Sequence, residues 1–242
     1  MKKAFTLAEV LITLGVIGVV AAMVMPTLMS EFQERVWITR LKHTAAVLTQ
    51  AYLMASKDYS VSAEWNHNGD DRERSERYYN YLKDYIQKPI ISDVRFNYPM
   101  YDLHGNPYAS GMGSSNRYGF VLNNGTIISL TRTASNGQGD DEGIHGYGEN
   151  VYFVGFTVDV NGQQGPNVLG KDLFLLYLRP DKIAVEGYEL WWVTRRSCST
   201  TENDAWTPGG ACATWVLKMG NMDYLHRELT TEEWDKVRVG HH

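Results

Sequence analysis

Cysteine, net positive charge and long apolar runs are all scarce in this chain of 242 residues. Two cysteines, Cys198 and Cys212, are too few for a small disulfide-framework protein, and no Cys/His group has the spacing of a structural zinc site. Lys and Arg number 23 against 28 Asp and Glu, a net charge of −5. A chain this acidic is a poor binder of phosphate backbones, so no nucleic-acid partner is expected. Catalytic motifs are missing too: there is no G-x-S-x-G, no H-E-x-x-H and no phosphate-cradling glycine loop. Ser114 and Ser115 sit in a glycine-rich stretch with no base in view. His145 and Glu149 have helical spacing, but Gly146 and Gly148 lie between them and disfavour a shared helical face. The expectation is no enzyme, no cofactor and no resident metal. Aromatics, by contrast, make up 12% of the chain, with 15 Tyr and 7 Trp, which argues against global disorder. The length fits one compact domain plus a tail or anchor.

Apolarity is concentrated at the start. From Phe5 to Met29 there are 25 residues and one charge, Glu9. About 20 apolar residues in helix cross a hydrocarbon core, so this segment is long enough to span a bilayer. Lys2 and Lys3 precede it and keep the N-terminus cytoplasmic by the positive-inside rule. No other run is long enough, which leaves one span with everything after it across the membrane. Three ordinary readings compete: a cleaved signal peptide with Val20-Ala21-Ala22 as its processing site, a plain anchor, and a buried core helix. Glu9 argues against all three. An acid deep in a lipid-facing helix costs roughly 2.5–3.5 kcal/mol, and none of the three needs it. An intramembrane carboxylate marks a functional site that wants a partner.

Lys2-Lys3-Ala4-Phe5-Thr6-Leu7-Ala8-Glu9, followed by an apolar helix and Pro26, resembles the N-terminus of type IV prepilins and type II secretion pseudopilins. The resemblance covers the first thirty residues or so. It implies that residues 1–4 are a leader cut by a prepilin peptidase between Ala4 and Phe5, and that the new N-terminal Phe5 is then N-methylated. The family usually has Gly where Ala4 stands. Residues 5–29 would remain as membrane anchor and filament core. The resemblance also gives Glu9 its partner: the free α-amine of Phe5 on a neighbouring subunit. Ammonium and carboxylate are each costly in lipid, and pairing offsets much of that cost. The implied partners are the peptidase and methyltransferase, other copies or related pilins in a filament, an inner-membrane assembly platform and the lipid bilayer. The implied location is the bacterial inner membrane, with the head in the periplasm or on an extracellular filament. Loss of Lys2 and Lys3 takes the mature charge to 21 − 28 = −7.

Residues 30–57 continue the helix. Leu28, Phe32, Val36, Leu41, Ala45, Leu48, Tyr52 and Ala55 form one apolar stripe, with Glu31, Glu34, Arg35, Arg40 and Lys42 on the other faces. The stripe is expected to pack on the protein's own sheet. Helix from about Phe5 to Lys57 would be roughly 80 Å long. Pro26, which lacks an N–H, is expected to kink or unwind it locally. Gly15 and Gly18 make a small-residue face where neighbouring helices approach closely.

Residues 58–242 read as a globular head. Tyr78, Tyr81, Leu82, Tyr85 and Ile86 predict a helix over 72–87, ended before Pro89. Residues 105–119 read as loop, and so do 137–148. Tyr118–Leu122 and Thr126–Leu130 around Asn124-Gly125 predict a hairpin. The turn also accounts for the glycosylation sequon at Asn124. Further strands are predicted at Tyr152–Val160, Leu173–Leu178 and Tyr188–Val193, and a short one at Thr214–Met219. A long N-terminal helix with a mainly antiparallel sheet is an α+β class, and pilin-like in its implied layout. Trp191, Trp192 and Trp215 are expected in the core. Outside the cytoplasm, Cys198 and Cys212 are expected to be bonded, as in the C-terminal loop of many pilins. Asp159, Asn161 and Asp172 suggest a calcium loop, as some major pseudopilins have. Gln164 and Gly170 break the EF-hand pattern, however, and turn formation is preferred. The rival to a filament subunit is a membrane-tethered periplasmic binding protein or enzyme with a borrowed anchor.

Overall fold

The computed structural model describes residues 6–86, 89–108, 116–134, 152–178, 184–187, 195–202 and 207–237. The apolar run and its continuation form one helix, α1, Leu7–Tyr59. The backbone stays helical through Pro26, so the unwinding expected there does not occur. A proline removes one hydrogen bond, and the turns on either side keep theirs. Two compact units divide within α1, Met1–Val36 and Trp37–His242.

In the first unit none of the described residues is buried. Leu7, Leu14 and Ile17 are 79%, 61% and 63% exposed. The expectation that Leu28 and Phe32 pack on the sheet is corrected: both are exposed. The apolar spacing continues through them, but both lie in the first unit, where none of the described residues is buried.

In the second unit α1 turns a stripe inward. Leu41, Thr44, Ala45, Leu48, Ala51, Tyr52 and Ala55 are buried, a spacing of three and four that fits one helical face. The facing layer is an antiparallel meander in chain order: β1 (Ile91–Ser92), β2 (Gly119–Val121), β3 (Ile127–Ala134), β4 (Tyr152–Asp159), β5 (Leu173–Leu178) and β6 (Val185–Gly187). Phe120, Ile128, Val158 and Phe174 pair in turn across β2 to β5, all buried, and form one rung of the core. Every residue of β5 is buried, which is why its sequence, Leu-Phe-Leu-Leu-Tyr-Leu, is apolar without alternation. Between β2 and β3, Gly125 takes φ +83° and its N–H bonds to Leu122 O at 2.9 Å, as the Asn-Gly turn requires.

α2 runs Asp71–Leu82, shorter than the predicted 72–87. Asp70 caps it, accepting from the N–H groups of Arg72 and Glu73, while Glu73 returns a bond to the Asp70 N–H. After Leu82 the N–H groups of Tyr85 and Ile86 both bond to Leu82 O, so the segment turns instead of continuing.

The strand expected at Thr214–Met219 is a helix, α3, Cys212–Met219. A short apolar run does not distinguish strand from helix. Here the flanks decide: Gly220 ends the helix at φ +73°, and its N–H bonds to Val216 O. α3 packs on β6 and β5. The contact depends on Gly187, where an added Cβ would stand 2.2 Å from Thr214 N. A last helix, α4, Thr231–Val237, brings Trp234 parallel to Trp215 at 6.4 Å. Trp215 is fully buried, as expected of a core residue. The expected strand at Tyr188–Val193, Trp191, Trp192 and the 137–148 loop lie outside the described residues.

Candidate functional site

Among the described residues the N-terminal turn of α1 is the place where polar groups meet a lipid-compatible surface. Ala4 and Phe5 lie outside the described residues. Thr6 stands just before the helix and Glu9 in its first turn. The Thr6 N–H donates to Glu9 Oε2 at 2.9 Å, and the Thr6 hydroxyl donates to the same oxygen at 2.9 Å. The Glu9 N–H returns a longer bond to Thr6 Oγ1 at 3.3 Å. This is a reciprocal capping box: two of the backbone N–H groups that a helix start leaves unpaired are satisfied. The signal for it, Thr-x-x-Glu before an apolar run, was in the sequence, but Thr6 drew no separate expectation. Beyond Glu9 the next charged residue is Glu31, so the helix between them presents only apolar and small or hydroxyl side chains. Thr13 turns its hydroxyl back onto Val10 O at 2.9 Å. Gly15 and Gly18 have open space where a Cβ would stand.

A second polar cluster sits in the head at the end of β4. Asp159 and Asp172 are both fully buried. Asp159 accepts from Tyr98 Oη at 2.5 Å and from the Asn161 N–H at 3.2 Å. Asp172 accepts from the N–H groups of Asn167 at 2.8 Å and Val168 at 2.7 Å. Burial pushes the Asp159 carboxyl up to about 7, against the pull of its hydrogen bond from Tyr98, and Asp172 nearby adds to the rise. Burial likewise raises Asp172, opposed by the N–H groups of Val168 and Asn167. Donors occupy these carboxylates, as in residues that organise tight turns. Asn161 belongs to the same turn, giving its amide Nδ2 to Gly165 O. Among the described residues no three His, Cys, Asp or Glu side chains are grouped to hold a metal.

The C-terminal part is pinned by a disulfide. Cys198 and Cys212 are bonded with Cα atoms 5.0 Å apart, tying the turn Arg195–Cys198 to the start of α3. Close by, the Tyr224 hydroxyl donates to Gly170 O at 2.7 Å and Trp215 Nε1 to Asn221 Oδ1 at 2.6 Å. Ser114, Ser115, His145 and Glu149 lie outside the described residues. Compared with family models, curated proteins and solved structures, the chain matches none. The functional reading therefore rests on the chemistry of its own residues. One N-terminal helix is long and apolar enough to cross a membrane, and among the described residues none in its apolar window is buried.

Proposed function

We propose that this chain is the precursor of a filament subunit of the pilin or pseudopilin kind. A peptidase removes residues 1–4, Phe5 becomes the methylated N-terminus, and the apolar half of α1 serves first as anchor and then as filament core. Glu9 pairs with the Phe5 amine of an adjacent copy and sets the axial register, while the uncovered apolar surfaces pack together. The observation that supports this reading is a lone carboxylate on the apolar first part of α1, between Leu7 and Met29, where no described residue is buried. A simple anchor gains nothing from that carboxylate, and a subunit that must recognise its neighbour inside a bilayer does. The layout of a long helix on an antiparallel sheet is compatible with a pilin-like head. Head-to-tail repetition of one interface is the symmetry such an assembly needs.

Mass spectrometry of the membrane-extracted protein tests the first step. N-methylated Phe5 as the first residue is expected, and an intact Met1 terminus overturns the reading. The second step is tested by Glu9→Val, which is expected to insert in the membrane and fail to assemble into protease-protected filaments. Normal assembly of that variant removes the proposed role of Glu9.

A further inference from the structure

The chain between α1 and α2 crosses the head as a strap, and one histidine clasps it. Ser60, just after α1, takes φ +64°, a 3-10 turn follows at Ser62–Glu64, and Asp70 caps α2. Under the strap lies an aromatic cluster. Trp65 meets Tyr52 of α1 edge-on at 5.9 Å and stands 4.9 Å from Tyr81 and 6.4 Å from Tyr78 of α2. Trp65, Tyr52 and Tyr78 are buried. Three bonds hold the strap down: the Ser62 N–H donates to Tyr52 Oη at 2.9 Å, Ser62 Oγ to Leu178 O at 3.5 Å, and Trp65 Nε1 to Ser60 O at 3.0 Å. His67, itself buried, joins the strap to α2. Its Nε2 stands 2.9 Å from Ser62 O and its Nδ1 2.6 Å from Tyr78 Oη. A carbonyl oxygen only accepts, which assigns the ring's hydrogen to Nε2. Nδ1 of the neutral ring then accepts from the Tyr78 hydroxyl.

We infer that His67 is a proton-operated clasp: the neutral ring locks residues 60–67 over the aromatic cluster, and a proton on Nδ1 unlocks them. Imidazole is the side chain whose charge ordinarily changes between pH 5 and 8. A proton taken from solvent occupies the Nδ1 lone pair, and the Tyr78 hydroxyl hydrogen, which lies along the same line, must turn away. The cation also forms in a buried site, where charge is costly. The neighbouring charges add to that cost. From α2, Arg77 Nη1 donates to the carbonyls of Asn66 at 3.1 Å and Asn68 at 2.9 Å, the residues on either side of His67, and Arg74 donates to Gly69 O. From α1 the polar group is the Tyr52 hydroxyl, and from the sheet it is the Leu178 carbonyl, both through Ser62. Glu64 on the strap and Asp70 after it are exposed, so water and salt screen them. Once the strap lifts, the ring is hydrated and takes its proton without these costs, so acid favours the open form. The clasp concerns the head alone and does not depend on the filament-subunit reading.

The test uses the full chain in detergent and follows amide exchange by mass spectrometry, corrected for the intrinsic effect of pH on exchange. The buried stretch of α1, residues 41–55, serves as internal reference. In the native chain, protection of residues 60–67 relative to that reference is expected to fall about ten-fold from pH 7.5 to 5.5, because a hydrated imidazole titrates near 6.5 and each pH unit below that adds about one decade to the open fraction. His67→Gln offers an amide donor and an acceptor and does not titrate, so it is expected to show no such fall. Tyr78→Phe keeps the ring packing and takes the donor from Nδ1. It is expected to lower protection of the strap about five-fold at pH 7.5, the loss typical of one buried hydrogen bond. This second variant tests the clasp whether or not His67→Gln folds. Strap protection that stays level with pH in the native chain, an equal fall in His67→Gln, or native-level strap protection in Tyr78→Phe each overturns the inference. All three leave the filament reading where it stood.

Discussion

Residues 7–36 and 37–59 of α1 share one backbone conformation and differ in what their side chains meet. Leu14 and Phe32 are 61% and 64% exposed, whereas Leu41, Leu48 and Tyr52 have no exposed surface at all. Between Val10 and Met29 the helix is apolar on every side, which gives it no face for water. After Trp37 the apolar positions narrow to a stripe, and Arg40 and Lys42 take positions off it. Arg40 reaches across to Val160 O at 2.9 Å. The lesson is that helix formation alone does not reveal the solvent a helix is built for. The width of its apolar sector does: a stripe is completed by the chain's own sheet, and a full cylinder needs lipid or other subunits.

The largest effect that would break this contrast comes from truncating one leucine in each half. All seven Trp residues lie at position 37 or later, so their fluorescence reports the head. Leu48→Ala leaves a cavity in the core and is expected to lower head stability by about 2–5 kcal/mol in urea unfolding of the detergent-solubilised chain. Leu14→Ala is expected to leave the same transition where it was. A comparable loss from Leu14→Ala would mean that the first half of α1 contributes to head folding. Next in size is the disulfide. Cys198 and Cys212 stand 14 apart in sequence, and closing a loop of this length stabilises by roughly 3 kcal/mol in the chain-entropy model. Reduction or the paired Ser substitution should lower the fluorescence midpoint accordingly while leaving membrane insertion intact.

Sequence reading succeeded where local chemistry and burial agreed. The Asn124-Gly125 turn and the unbroken apolar run of β5 needed no tertiary information, and the inward face of α1 from Leu41 to Ala55 was visible in its spacing. It failed where the deciding interaction lay elsewhere. Thr214–Met219 has the composition of a strand, yet it is helical, with the disulfide at Cys212 and the αL glycine Gly220 at its two ends. β1 is two residues long and defined by its pairing with Val121 and Phe120, which no local pattern announces. The outward face of Leu28 and Phe32 could not be read because the stripe looks the same whether or not a partner covers it. At the start of α4 the Thr230 N–H and hydroxyl donate to Glu233 Oε2, and the Glu233 N–H donates to Thr230 Oγ1. This box and that of Thr6 and Glu9 were legible in principle, since the Thr-x-x-Glu spacing is itself the physical signal.

A smaller effect separates buried from exposed acids within the head. Asp159 titrates near 7 when folded because burial disfavours its charge, while its unfolded value is close to 3.9. The native state then holds the extra proton between these values. Its contribution to stability is fully present below the unfolded value and is lost as pH rises through about 7. Head stability is therefore expected to fall by on the order of 1 kcal/mol between pH 6 and 7. Asp172, also raised by burial, acts in the same direction. Asp159→Asn should flatten this slope in urea titrations at several pH values, and an unchanged slope would assign it to other groups.

The smallest effect is expected at the exposed box of α4, and it runs in the opposite direction. The Arg227 guanidinium, with help from the Thr230 N–H, pulls the Glu233 carboxyl down to about 2. Such a group supports the native state above its unfolded value, near 4.3, and loses that support as pH falls toward 2. Because Glu233 lies at the surface, added salt should weaken the pair, and the global midpoint at pH 7 should barely move in Glu233→Gln. The local readout is sharper. Amide exchange in Thr231–Val237 should speed up in Glu233→Gln at neutral pH, and the native chain should show the same increase on acidification. The variant should show little further change on acidification, because its side chain no longer titrates. Unchanged exchange in α4 would mean that a completed Thr-x-x-Glu box contributes nothing measurable even with its cation in place. The Thr6–Glu9 box, which repeats its Thr-x-x-Glu hydrogen bonds, would then be expected to add nothing measurable to its own helix start, and Glu9 would have to be explained by the lipid setting alone.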